Sequence, residues 1–235
     1  MKLRARGRPE VHGHRGSPLK FPENTIPSFV AAIEAGADFI ELDVQASRDS
    51  VLIVSHDPCL PGGERIHALD ARDIHRRPSL EEVLDLSTRF SGFGFNIEIK
   101  SYPGHPSYGP APAAMASLVW QAVRARGLQE RVIVQSFDFR VLEAMRELGA
   151  SAPLSALWEG SRRLLDAIAS EAGTSCVSVQ HTLVDETLVR QAHDAGVRVL
   201  VWTVNGERAW SRMLAARVDG IITDDPAGLV RFFGE

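Results

Sequence analysis

The chain has 235 residues and a formal net charge of −4, with 44% hydrophobic and 24% charged residues, an ordinary globular composition. Disordered, collagen-like and disulfide-scaffold chains are excluded, and the acidic balance gives no support to a general nucleic-acid or polybasic membrane binder. At this length roughly 70% of the unfolded surface is buried without staples, so Cys59 and Cys176 read as free thiols of a reducing compartment, one disulfide between them remaining open.

The first residues are charged but lack the ~7–15 apolar residues of a secretory signal. No run reaches the ~18 apolar residues of a spanning helix. A cytoplasmic protein with no stable membrane insertion is expected. Short runs rich in Val and Ile predict strands at 10–14, 38–44, 51–56, 95–100, 131–136, 153–158, 176–180, 197–204 and 219–223. Amphipathic segments predict helices at 26–36, 79–89, 111–127, 139–149, 161–173, 185–196 and 207–217, several of them stopping at glycine. Strand–helix alternation means βαβ units and a parallel sheet. No linker interrupts it, so residues 1–235 read as a single domain, and ~250 residues is typical of a (β/α)8 TIM barrel.

Nine strands are one too many for that barrel. The link between 38–44 and 51–56 is too short for a parallel crossover, which needs about a dozen residues. These two runs therefore form a β-hairpin extension at the active-site end. A two-residue turn at Asp49-Ser50 would set Asp43 directly opposite His56. Glu41 shares the face of Asp43, because side chains alternate along a strand.

In such a barrel the working end is the C-terminal end of the strands. Those ends carry His14-Arg15-Gly16, then Glu41 and Asp43 with His56, then Glu98 and Lys100, then Gln135-Ser136, Trp158, Gln180 and Trp202. Three carboxylates in otherwise apolar strands repel one another and call for positive charge. An all-oxygen set suits a hard divalent cation, Mg²⁺ or Ca²⁺. The competing reading is a salt-bridge network with Arg15 and Lys100. His14 and His56 suit an acid/base pair near neutrality, or are hydrogen-bonded core or loop histidines. His12, His67, His75, His105, His181 and His193 lack that context and read as surface or loop residues. Lys100 is one of only three lysines. With Arg15 it would hold an anion such as a phosphodiester, or it merely pairs with Glu98. Asn24 or Thr25 would cap the first helix. Trp202 is either a pocket wall for an organic headgroup or barrel core.

The motifs HRG at 14–16, PENT at 22–25, ELDV at 41–44, HD at 56–57, EIK at 98–100, QSFD at 135–138, VWTVN at 201–205 and DGIITDDP at 219–226 together resemble the glycerophosphodiester phosphodiesterase family. The resemblance spans about residues 11–226. It implies a (β/α)8 barrel, a divalent metal, and hydrolysis of a small-molecule glycerophosphodiester to sn-glycerol 3-phosphate and an alcohol. It implies His14 and His56 as the general acid/base pair, Glu41, Asp43 and Glu98 as metal ligands, and Arg15 and Lys100 at the phosphate. The loop after His56-Asp57 departs from the family pattern: it is short and lacks the threonines seen there, which bears on substrate choice. A lysophospholipase D or sphingomyelinase D-like enzyme would share the barrel and the histidine pair. It would need an acyl groove, for which Leu60, Tyr102, Tyr108 and Trp158 are candidates. A catalytically silent phosphate-binding barrel and a metal-dependent sugar isomerase are the readings from other classes. Oligomeric state is not legible.

Overall fold

The computed structural model describes residues 7–101, 105 and 108–234. The charged N-terminal stretch 1–6 and Tyr102 lie outside them. Nine strands form one sheet: β1 (Glu10–Gly13), β2 (Phe39–Ala46), β3 (Leu52–Val54), β4 (Gly94–Ile99), β5 (Val132–Ser136), β6 (Leu154–Trp158), β7 (Cys176–Gln180), β8 (Arg198–Trp202) and β9 (Gly220–Thr223). Their order is β1-β9-β8-β7-β6-β5-β4-β2-β3, and a further β1–β2 pairing closes the ring. Eight parallel strands thus make a closed barrel, and β3 hangs antiparallel on β2.

Helices follow the strands on the outside: α1 (Ile26–Glu34), α2 (Leu80–Leu84), α3 (Pro112–Ala125), α4 (Phe139–Glu147), α5 (Leu165–Ala172), α6 (Glu186–Asp194), α7 (Glu207–Ala215) and α8 (Pro226–Phe232). Their starts have local causes. Thr25 rather than Asn24 caps α1, accepting from the Ser28 N–H, and Ser79 with Glu82 forms a capping box on α2. The second predicted helix is shorter than expected, continuing from Leu84 only as a 3-10 turn through Thr88. The sequence reading stopped short of α8, whose start is marked by the Asp225 cap and Pro226.

Alternation along each strand builds two cores. Ile40, Leu42 and Val44 on β2, and Phe95, Ile97 and Ile99 on β4, pack outward in the large cluster between sheet and helices. The opposite face of the same strands points into the barrel. There Phe39, Ile133, Cys176 and Leu200 form a small apolar layer; the Cys176 thiol is free, as is that of Cys59 in the loop after β3. Above that layer the inward positions include the buried polar residues His12, Glu41, Asp43, Asn96, Glu98 and Gln135, beside the apolar Leu157 and Ile222.

The hairpin differs from expectation by one residue. Val44 pairs with Val54 and Ala46 with Leu52, so the connection is a three-residue loop, Arg48-Asp49-Ser50. Ser50 adopts the left-handed conformation (φ 65°), and Asp49 ties the loop to Ser47 Oγ and to the Ala71 N–H. The residue opposite Asp43 is Ser55, whose N–H donates to the Asp43 carbonyl at 3.0 Å. His56 therefore lies one position past the pair. Turn length fixes register, and a three-residue loop shifts every partner by one.

Candidate active site

The strand ends converge on a pocket of about 300 Å³, whose lining includes His14, Arg15, Glu41, His56, Glu98, Lys100 and Gln135. Across from these stand Phe137, Leu157, Glu159 and Trp202. The residues proposed from the sequence as acid/base, metal-ligating or phosphate-binding groups are brought to this mouth. Asp43 sits just beneath the lining, in contact with Lys100.

The turn after β1 builds one side. Arg15 takes a left-handed φ of 53° and Gly16 a φ of 92°. A Cβ on Gly16 would lie 2.6 Å from the Ser28 carbonyl carbon and 2.8 Å from the Phe29 nitrogen, so only glycine lets α1 approach this turn. Ser28 Oγ braces it, donating to the Arg15 carbonyl and accepting from the Ser17 N–H.

Ligand oxygens of Glu41, Asp43 and Glu98 lie within 4.8 Å of one another, and all three residues are buried. Lys100 Nζ lies 3.0 Å from Asp43 Oδ1 and 2.6 Å from Glu98 Oε1. Arg15 Nε is 3.4 Å from Asp43 Oδ2, while its Nη1 is committed to Glu23 at 3.0 Å. Glu41 makes no such ion pair among the described residues. The Arg15 backbone N–H donates to its Oε2 (3.0 Å) and the Gln135 amide to its Oε1 (3.2 Å). Both readings of the cluster thus use the same atoms: the predicted ion pairs exist, and they leave the acids in excess. Burial pushes the Glu41 carboxyl up to about 7, with the charge of Asp43 adding to it. Burial likewise raises Glu98 against the pull of Lys100. Burial would also raise Asp43, but Lys100, Arg15 and His56, with the Asn24 amide, hold it well below the carboxylate range. An all-oxygen, buried, under-compensated trio fits a hard divalent cation.

The two histidines are held differently. His14 Nδ1 lies 2.6 Å from Asp224 Oδ1. A carboxylate only accepts, so Nδ1 carries the proton and Nε2 is left to the pocket. Burial would lower His14, yet the bond to Asp224 and the charge of Glu41 raise it above its usual value. His56 Nδ1 is 2.8 Å from Asp57 Oδ1. Burial and Lys100 depress His56 below its usual value.

Four residues have roles in this arrangement that the sequence alone did not suggest. Asp224 orients His14, and Asn205 in turn donates to Asp224 Oδ2 at 2.6 Å. Asn24 is no cap: fully buried, it donates to Asp43 Oδ2 at 2.9 Å. Gln45, on the inner face with Glu41 and Asp43, places Nε2 at 3.0, 3.0 and 2.7 Å from the carbonyls of Ser55, His56 and Asp57, its two N–H groups shared among the three. The only advance signals were the alternation of β2 and an acid directly after β9. His12 is also corrected: it is buried inside the barrel, not on the surface or in a loop. Trp202 is a pocket wall, its Nε1 fixed on the Ser178 carbonyl and its ring against Phe137. Of the acyl-groove candidates, Leu60, Tyr108 and Trp158 are half-buried, and none of the three is in the pocket lining. Among the described residues no helix is long and apolar enough to cross a membrane.

Residues 14–228 match the glycerophosphoryl diester phosphodiesterase family. A glycerophosphodiester phosphodiesterase of Caldanaerobacter subterraneus subsp. tengcongensis is 33% identical, over 94% of this chain and 96% of its own. The crystal structure of such an enzyme from Thermotoga maritima superposes with a TM-score of 0.76 at 26% identity, covering 95% of this chain and 98% of the other. An Oleispira antarctica phosphodiesterase, solved in complex with the product sn-glycerol-3-phosphate, has the same fold with a TM-score of 0.86 at 20% identity, covering 97% and 98%. With the family match running from His14 past Asp224 and so through the residues of the mouth, the chain belongs to the glycerophosphoryl diester phosphodiesterase family, hydrolases of glycerophosphodiesters.

Proposed function

We propose that this chain cleaves glycerophosphodiesters to sn-glycerol 3-phosphate and an alcohol, with a divalent cation, Mg²⁺ or Ca²⁺, held by Glu41, Asp43 and Glu98. The observation that carries the reading is the buried acidic trio, short of positive charge, beside His14 and His56 in one pocket. The product seen in the Oleispira antarctica neighbour supports the choice of product. When bound, the cation would draw charge from the phosphate oxygens and acidify a coordinated hydroxyl.

The chain's own groups divide the work by their surroundings. His56, depressed and neutral, accepts the proton of the glycerol 2-hydroxyl, whose oxygen attacks phosphorus. His14, raised and protonated, gives its proton to the alcohol as the phosphorus–oxygen bond breaks. The cyclic phosphate is then opened by water, with His14 now taking a proton and His56 returning one to the 2-oxygen. Arg15 and Lys100 supply fixed positive charge to the non-bridging oxygens. Trp202 and Phe137 offer an apolar wall to the organic part of the substrate. The reading takes residues 1–235 as one domain acting in the cytoplasm, in keeping with the two unpaired thiols.

The test is release of sn-glycerol 3-phosphate from a panel of glycerophosphodiesters with Mg²⁺, with Ca²⁺ and with chelator. Metal-dependent release that falls at least 100-fold in His14→Ala is expected. Release unaffected by chelator would overturn the cation, and cleavage of lyso-lipids alone would move the substrate class.

A further inference from the structure

A file of polar side chains runs through the barrel from its N-terminal end to the acidic trio. Arg198 Nη2 lies 2.8 Å from Glu10 Oε2. The same oxygen is 3.3 Å from His12 Nε2. His12 Nδ1 is 3.3 Å from Asn96 Nδ2, which also lies 3.2 Å from Gln135 Oε1. Gln135 Nε2 then reaches Glu41 Oε1 at 3.2 Å. His12 and Asn96 are fully buried, Gln135 and Glu41 nearly so. They come from β1, β4, β5 and β2, so the file crosses the barrel interior. The His12 ring is fixed by stacking on Phe39, with centroids 4.5 Å apart.

Barrel interiors of this kind are filled mainly by branched apolar side chains, and a buried polar group without a partner is costly. This file leaves one: Asn96 Oδ1 has no partner among the described residues. Its polarity is nonetheless consistent from end to end. Glu10, paired with Arg198, only accepts, so His12 offers it the Nε2 proton and keeps Nδ1 bare. Bare Nδ1 requires the NH₂ of Asn96, not its oxygen. The second N–H of that amide faces Gln135 Oε1, which turns the Gln135 NH₂ toward Glu41. The reverse order would set the Gln135 oxygen against a carboxylate oxygen.

We propose that His12 and Asn96 are positioning residues, which fix the Gln135 amide so that it donates to Glu41 and holds that carboxylate in place to bind the cation. The charge pair at the far end of the barrel thereby sets a donor at the active site. The inference rests on the cation-binding reading of the trio for its consequence, but not for its geometry.

Two measurements test it. The first is the His12 tautomer in the wild type, from ¹⁵N–¹H correlations of the imidazole. A proton on Nε2 and a bare Nδ1 are expected, and a proton on Nδ1 would overturn the file's polarity. The second is Mn²⁺ affinity without substrate, by electron paramagnetic resonance, for wild type, His12→Phe and His12→Gln. The phenylalanine keeps the stack and removes the acceptor, and about a tenfold loss of affinity is expected. The glutamine restores an acceptor oxygen and is expected to recover most of the loss. A folded His12→Phe with wild-type affinity would overturn the proposal. Should the wild type take up no Mn²⁺, the cation reading fails, and the tautomer still decides the file.

Discussion

Asp224 holds the proton on His14 Nδ1, and Lys100 stands against a proton on His56. If His14 acts protonated and His56 neutral, the rate falls on the acid side as His56 takes a proton and on the alkaline side as His14 loses one. With His56 below the ordinary value of about 6.5 and His14 above it, the active window straddles that pH. Asp224→Asn removes the charge that raises His14 and replaces the carboxylate acceptor by a weaker amide oxygen. We expect the alkaline limb of the kcat profile to move to lower pH, the acid limb to stay, and kcat to drop roughly 10²- to 10⁴-fold. An unmoved alkaline limb would remove Asp224 from the mechanism. At this scale the convergence of His14, His56, the three acids, Arg15 and Lys100 on one mouth was legible, the acids from alternation in strands that otherwise read as core and the rest from their place at the strand ends. Asp224 was not. Its partner lies 210 positions away, and nothing local in Thr-Asp-Asp-Pro separates the acid that orients His14 from Asp225, which caps α8.

The hairpin shows how an element can be right in existence and wrong in consequence. Its presence followed from a connection too short to cross over, but its register depended on one residue of turn. With Ser50 left-handed, ladder pairing no longer delivers His56. Gln45 does so instead, through three successive carbonyls just past β3. Loop backbone is the least constrained part of a barrel, and here an amide from the barrel interior immobilises it. Gln45→Leu should leave the Ser55 and His56 carbonyls without this donor, Asp57 keeping that of Ser55 Oγ, at a cost of about 1–3 kcal/mol in denaturant unfolding. It should lower kcat about 10-fold or more while leaving Mn²⁺ affinity unchanged. Equal kcat in the variant would show that the loop holds His56 without Gln45. The missed α8 is a simpler case: a short helix after Asp-Pro, hidden by its few residues.

For the molecule as a whole, the raised carboxyls of Glu41 and Glu98 are a stability cost that the fold carries, whereas Asp43, held low beside Lys100 and Arg15, is not. Glu41 is raised from about 4.5 to about 7, so the native state binds a proton that the unfolded chain has already lost between those pH values. Its contribution is thus least unfavourable at low pH and worsens as pH rises toward 7. With chelator at pH 8, Glu41→Gln should be more stable than wild type by on the order of 2 kcal/mol, the gap closing toward pH 5. Adding Mg²⁺ to about 100 times its Kd should stabilise the wild type by about 2.7 kcal/mol and leave the variant nearly unmoved. Parallel melting of the two proteins under all conditions would contradict this electrostatic account.

The ring closes between the first strand and the last: β1 pairs with β9, and the His14 N–H donates to the Thr223 carbonyl. During synthesis, therefore, β1 waits for almost the entire chain before it gains its second neighbour, and His14 waits equally long for Asp224. Seven barrel strands, β3 and most of the helical shell can be in place while His14 still lacks its partner Asp224. If His14 is the acid proposed above, hydrolytic competence is among the last properties the nascent polypeptide acquires, and a product interrupted before β9 would carry Glu41, Asp43 and Glu98 but lack the bond that orients His14. The long sequence separation that slows such closure also keeps an unfinished barrel from acting on its substrate.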